Sequence, residues 1–525
     1  MVKKEVYLKI VLLALSLALC FFLVYKVHAA YPYQFVEPES ATLVNATQYP
    51  FPLHNDEWTH LALGLAIAEE HKTDFNPYLD TPAQDREKGF HLLLAGLFSM
   101  PGINPVLAYQ FFAPIMLAIN AFFLFFLVFK LTKNYWIGLF SLLFFASLRN
   151  NVNMLGNWFF TPLTFTLFLV FIYLYLFIKA FEGGKGSKIF MLASIIVFLI
   201  AILIYPFTAV LASIVSSAYT LTKLGFVKKN LKLVIPLGII GFIISAVFVK
   251  LYFWTGTIGG TAQKFLGELV FKKGWTVLEH SYSLLSFYGV IPLILAAAGI
   301  FYLALKRNNR DRTNQNNLLF IIWPALLLLN LVLFVLFGFS LFLPYQRNFF
   351  YLLVSLAPLS AMGLYWLSEL LVNYSKKHIF KKRKYTRVPA IILVAVVLFF
   401  TFINYYRVEP QEFSLQRIIT PAEYEALLWL KEHYEPYQKV LAKPFLSVAV
   451  YPVSMNRVVG MMPSGLEGGA YGKVYDFFQL GCEAKQAILA EEKVNFVISH
   501  ESIDCDFISN SRVYYKDGIT IYKVA

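Results

Sequence analysis

Runs of about twenty apolar residues recur along most of the chain between short polar stretches, and each is long enough to cross roughly 30 Å of hydrocarbon as a helix. The pattern predicts spans at Tyr7–Val27, Pro105–Phe129, Tyr135–Leu148, Phe159–Ile178, Ile189–Tyr205, Phe207–Leu221, Leu231–Phe253, Leu284–Leu305, Leu318–Phe339, Phe349–Val372 and Val388–Tyr406. The third is short. The fifth and sixth form a nearly continuous run broken at Tyr205-Pro206, where proline either ends a helix or kinks it. The reading is an α-helical polytopic membrane protein with about eleven transmembrane helices. After Tyr406 the pattern becomes that of a small α/β domain. Thr420-Pro-Ala-Glu423 is a capping box opening a helix, strands are predicted at Lys439–Ala442, Val494–Ser499 and Arg512–Val524, and Asp517-Gly518 marks a hairpin. The expected division is a membrane domain, 1–406, which includes an outer loop at 30–104, and an α/β domain, 407–525.

Composition agrees with that class: of 525 residues 58% are hydrophobic and 14% charged, against roughly 25% charged in soluble proteins. The formal charge of +14 does not point to nucleic acid, because the basic residues sit in short alternate loops rather than along one face. Those loops hold Lys130 and Lys133, Lys223 to Lys232, Lys306 to Arg312, and the run KKHIFKKRK from Lys376 to Lys384. The positive-inside rule then places the N-terminus in the cytoplasm and the C-terminal domain outside it, with the cell membrane as the expected location. The first span resembles a signal peptide ending in Val-His-Ala-Ala, but its apolar run is longer than the usual 7–15 residues, so a retained anchor is expected. Of three cysteines, Cys20 lies in the first run. Cys482 and Cys505 fall in the outer domain, as two thiols or as one disulfide.

The first outer loop reads HNDEWTHLALGLAIAEEHKTDFNPY and then REKGFHLLLAGLF. Asn55 is the predicted N-cap, with Asp56 and Glu57 in the first turn of an amphipathic helix. Two readings of this pair stand. Acids at a helix N-terminus stabilise its dipole by roughly 0.3–1 kcal/mol without any catalytic role. Flanked by His54 and His60, they also suit an acid/base or metal site. Glu87 and His91 precede a short apolar run expected to lie at the membrane interface. Arg149, among Asn150, Asn151, Asn153 and Asn157, and Arg347 lie at outer span ends, where an arginine either binds an anion or reaches a lipid phosphate. No P-loop, zinc-protease or nucleophile-elbow signature is present.

A cytoplasmic N-terminus, a long outer loop with an acidic pair on a short helix, many further spans and an outer C-terminal domain together resemble the GT-C class of membrane glycosyltransferases. The sharper points are Asp56-Glu57, the Tyr205-Pro206-Phe207-Thr208 turn, and Arg347 before a Pro/Ala/Gly-containing helix. The resemblance implies transfer of a sugar from a polyprenyl-phosphate-linked donor to a lipid, glycan or protein acceptor at the outer face. Asp56 would be the base, Glu57 would assist it or help bind Mg2+ or Mn2+, and Arg347 would hold the donor phosphate. The chain lacks the W-W-D-x-G stretch of oligosaccharyltransferase catalytic subunits, which favours single-sugar transfer. The other readings are a transporter or flippase of lipid-linked saccharides, and a non-catalytic membrane assembly protein.

The charge pattern generates a topology prediction. A reporter fused after Val524 should behave as extracytoplasmic, and one placed between Lys376 and Arg387 as cytoplasmic; the reverse pattern would invert the orientation.

Overall fold

The computed structural model describes residues 2–30, 33–35, 43–44, 49–85, 87–151, 153–182, 186–222, 270–272, 283–306, 317–378, 385–406, 416–463 and 466–524. The predicted span Leu231–Phe253 lies outside them, and every other predicted span falls on helix. Six described helices are long and apolar enough to cross a membrane: Lys4–Val27, Pro105–Thr132, Pro162–Glu182, Ser187–Ile204, Leu319–Phe337 and Tyr345–His378. Apolar helices at Tyr135–Ala146, Pro206–Thr220, Val290–Lys306 and Val388–Ile403 are shorter. On Ser187–Ile204 the exposed positions include Ile189, Leu192, Ile196 and Ile200, an apolar stripe at helical spacing. Water would penalise such a stripe, whereas lipid solvates it. The chain is an integral membrane protein.

The residues divide into two compact units. One comprises Met1–Val24, Pro114–Trp158 and Pro162–Phe413; the other comprises Tyr25–Ala113, Phe159–Thr161 and Ser414–Ala525. First-loop and C-terminal residues therefore share a unit.

In the first unit, Tyr205 is extended (φ −154°, ψ 102°), the conformation imposed on a residue preceding proline, so one helix ends at Ile204 and another opens at Pro206. Thr208 Oγ1 lies 2.7 Å from Thr166 Oγ1 and 2.9 Å from the Tyr351 hydroxyl, so three buried hydroxyls satisfy one another. The predicted span Leu284–Leu305 is interrupted at Gly289, whose φ of 89° favours glycine, giving helices Leu284–Tyr288 and Val290–Lys306. Val290–Lys306 meets Tyr345–His378 at two glycines. A Cβ on Gly299 would stand 2.0 Å from the Leu359 carbonyl oxygen, and one on Gly363 2.0 Å from that of Leu295. Small residues let the two backbones approach this closely, and Ser360 Oγ donates across the crossing to the Pro292 carbonyl at 2.7 Å.

In the second unit, five strands run in the order Arg512–Lys516, Ile519–Lys523, Phe496–Ser499, Lys439–Leu441 and Arg457–Val458. The last three are parallel and the first two form an antiparallel hairpin. Asp517 (φ 51°) and Gly518 (φ 81°) supply the two positive angles that its tight turn demands. Thr420 and Glu423 form the reciprocal capping box of helix Pro421–His433. Leu441, Val459, Val474, Phe477, Val497 and Tyr522 belong to the core under the sheet. Arg457, beside the edge strand's Val458, holds the end of helix Asn55–Glu70: its guanidinium is 2.8 Å from Glu70 Oε2, and Glu70 Oε1 accepts from the Tyr451 hydroxyl at 2.6 Å.

Cys482 and Cys505 are joined in a disulfide, with their Cα atoms 5.5 Å apart. Protein denatured without reductant should therefore resist alkylation at both positions, and reduction should destabilise this part of the unit by about 3 kcal/mol. Full alkylation of both thiols before reduction would refute the bond.

Candidate active site

The Asn55–Glu70 helix carries most of the predicted chemistry, and its N-terminus is built differently from expectation. His54, not Asn55, is the N-cap: it is extended (φ −140°, ψ 150°), and its Nδ1 accepts the Asp56 N–H at 3.1 Å. Histidine does this only because a ring nitrogen can act as an acceptor like a capping hydroxyl or carboxyl oxygen. Glu57 completes a capping box but also reaches further. Its Oε2 accepts the N–H groups of Leu53 at 2.7 Å and His54 at 3.2 Å, and its Oε1 that of Phe160 at 2.6 Å. The residue is 1% exposed. Burial pushes its carboxyl up to about 8, helped by the charge of Asp56 and opposed by the three N–H donors.

Asp56 is the contrasting neighbour. Its side chain is 31% exposed, and its Oδ1 lies 3.8 Å from His54 Nδ1. Two adjacent acids thus have different surroundings: one is enclosed by backbone amides, and the other reaches solvent.

One turn along the helix, His60 joins the second predicted cluster. His60 Nδ1 lies 2.9 Å from His91 Nε2 and 3.6 Å from Glu87 Oε2. Glu87 is the N-cap of helix Lys88–Phe98, and His91 sits in its first turn, 1% exposed. His91 Nδ1 is 2.7 Å from Asp85 Oδ2, while Asp85 Oδ1 accepts the Glu87 N–H at 2.8 Å. Asp85 was not singled out in the sequence, although the run Asp85-Arg-Glu87 before His91 carried the signal. Burial drives His60 down to about 3, with the charge of His91 adding to the shift and those of Asp56 and Asp85 opposing it, so its ring is neutral near pH 7. Burial alone would raise Asp85, but its hydrogen bond and charge interaction with His91 and the Glu87 N–H hold it below the ordinary range. His60, Glu87 and His91 are the described residues that converge as a possible metal-binding group. Asp56 and Glu57, the pair read as metal ligands from sequence, do not converge in this way, because both Glu57 oxygens face backbone N–H groups.

Both predicted arginines lie in the first unit, Arg149 at the start of an asparagine-rich loop and Arg347 in the helix Tyr345–His378. Asn150 Oδ1 accepts the Asn157 N–H at 3.0 Å, and Asn151 Oδ1 accepts that of Met154 at 2.9 Å. Gly156 fits beside Asn150 because a Cβ there would stand 1.6 Å from Oδ1. Arg347 Nη1 donates to the Met154 carbonyl at 2.6 Å, and Arg149 Nη1 to the Ser286 carbonyl at 3.1 Å. Each guanidinium is oriented by a backbone carbonyl.

No family model and no curated protein matches the chain. Solved structures do. Archaeal oligosaccharyltransferase AglB from Archaeoglobus fulgidus, in complex with an inhibitory peptide and a dolichol-phosphate, is similar over 93% of this chain and 69% of its own, with a TM-score of 0.56 and 13% identity. A structure of the oligosaccharyltransferase from the same organism in complex with Zn and sulfate gives a TM-score of 0.52 at 13% identity, covering 92% and 67%. ArnT from Cupriavidus metallidurans in the apo state is similar over 97% of each chain, with a TM-score of 0.52 and 12% identity. At such identities the likeness shows the fold alone: the chain shares its overall architecture with these membrane-protein structures.

Proposed function

We propose that this chain is a GT-C-type glycosyltransferase that moves a sugar from a polyprenyl-phosphate-linked donor to a lipid, glycan or protein acceptor on the outer face of the membrane. The observation that carries this reading is the division of labour at 56 and 57: a buried Glu57 fixes the helix start, and a solvent-reaching Asp56 projects from it. The GT-C fold supports the reaction class, and the dolichol-phosphate held by the archaeal relative supports a lipid-phosphate donor.

In this reading the Asp56 carboxylate takes the proton of an acceptor hydroxyl as its oxygen attacks the anomeric carbon. The bond from that carbon to the phosphate oxygen breaks, and its electron pair leaves on the phosphate, so the anomeric centre inverts. Arg347 balances the charge that develops on the leaving phosphate, with Arg149 as a second substrate-binding cation. His54 holds Asp56 in place, and Glu57 acts on structure rather than on protons. The eleven-span topology, with the 407–525 segment outside, completes the reading.

Asp56→Asn keeps shape and loses charge, so it should reduce sugar transfer at least about 100-fold in a normally folded, membrane-inserted protein. Glu57→Gln places an NH2 against backbone N–H donors and should lower thermal stability by about 1–3 kcal/mol, with transfer falling only as folded protein is lost. Near-normal transfer by Asp56→Asn in a matched preparation would remove the base assignment.

Arg347→Ala should weaken use of a polyprenyl-phosphate sugar by the equivalent of about 1.5–3 kcal/mol, and acceptor use far less. Arg347→Lys should restore only part, lacking the planar fork. Unchanged donor binding and turnover in Arg347→Ala would reduce this arginine to a support for the Met154 loop.

A further inference from the structure

Three ligand-type atoms meet within the second unit. His60 Nδ1, Glu87 Oε2 and His91 Nε2 come from residues whose donor atoms all lie within 4.8 Å of one another. The spacings measured from His60 Nδ1 are 2.9 Å and 3.6 Å. Tetrahedral zinc with bonds of about 2.0–2.1 Å separates its ligand atoms by about 3.3 Å, a value those two spacings bracket.

The protonation pattern also suits a ligand set. An ionised carboxylate only accepts, so Asp85 keeps the proton of His91 on Nδ1 and turns the lone pair of Nε2 toward the cluster. A carboxylate behind an imidazole is the usual outer partner of a metal-binding histidine. The same Asp85 fixes Glu87 through its backbone N–H, so one side chain orients two of the three groups. His60 Nδ1 and His91 Nε2 lie 2.9 Å apart, close enough to share one proton, and the His60 tautomer that carries its proton on Nε2 turns the Nδ1 lone pair toward the cluster.

We propose that His60, Glu87 and His91 form a three-ligand site for a divalent transition metal of the zinc class, with a fourth position open to water or an anionic oxygen. Two imidazoles and one carboxylate select zinc or cobalt over magnesium, which prefers all-oxygen coordination. The site differs in residues and in metal from the Mg2+ or Mn2+ read from sequence onto Asp56 and Glu57. It does not depend on glycosyl transfer, because occupancy is measured without substrate.

The test uses the full chain, purified in detergent, stripped with chelator and titrated with Co2+ and then Zn2+. The wild type should bind one equivalent, give the visible absorption of low-symmetry cobalt, and resist displacement by excess Mg2+. His60→Ala, His91→Ala and Glu87→Gln should each lose at least about 10-fold in affinity. Asp85→Asn, which alters the group behind His91 and the acceptor of the Glu87 N–H, should lose about 10–100-fold. Thermal melting identifies any variant that misfolds, and Glu87→Gln keeps the test decisive if a histidine variant does so. No bound metal in the wild type at micromolar free Zn2+, or equal binding by folded Glu87→Gln and wild type, would overturn the proposal.

Discussion

A buried carboxylate with three backbone amides around it sets the geometry on which the second unit's chemistry depends. Burying an unpartnered carboxyl costs several kcal/mol, and each backbone N–H that its oxygens accept offsets roughly 0.5–1.5 kcal/mol of that. Glu57 draws two of its donors from the residues that open its own helix and the third from Phe160, 103 residues away. The arrangement fixes where the Asn55–Glu70 helix begins. Once that point is set, Asp56 must face outward and His60 must lie one turn further along the same helix.

The partner helix brings the rest. Lys88–Phe98 buries Phe90, His91, Leu94 and Phe98 and exposes Leu92 and Leu93. Eleven residues are too few to cross a bilayer, and an apolar outer face on so short a helix fits the membrane boundary. Gly64 permits the contact between the two helices, since a Cβ there would lie 2.8 Å from Leu94 Cβ. The tight approach sets His91 against His60, so packing of apolar side chains positions a polar cluster.

Local signals were legible in the sequence, and distant ones were not. The acidic pair at 56 and 57, the Thr420 capping box and the Asp517-Gly518 turn each depend on residues within four positions of one another, and each lies where its pattern indicated. The N-cap was misassigned by one residue because histidine ranks poorly among caps, and only its ring orientation revealed the role. No local pattern announces that Phe160 supports Glu57 or that His91 meets His60, since such pairings follow from tertiary packing. The strand Arg457–Val458, at two residues, is too short to leave a periodic trace. The separate roles of Asp56 and Glu57 were hidden for the same reason: adjacent acids look alike until burial distinguishes them.

The glycine crossing in the first unit bears on how the chain is assembled. Lipid tails are as apolar as leucine, so helices already in the bilayer gain nothing by hiding apolar surface from water, and close backbone contact must supply the attraction. Gly299 and Gly363 belong to helices that have Leu319–Phe337 between them in the chain. During synthesis that middle helix must leave the insertion machinery before its neighbours can meet. The glycine contact between Val290–Lys306 and Tyr345–His378 therefore cannot form until the later of the two helices has entered the membrane.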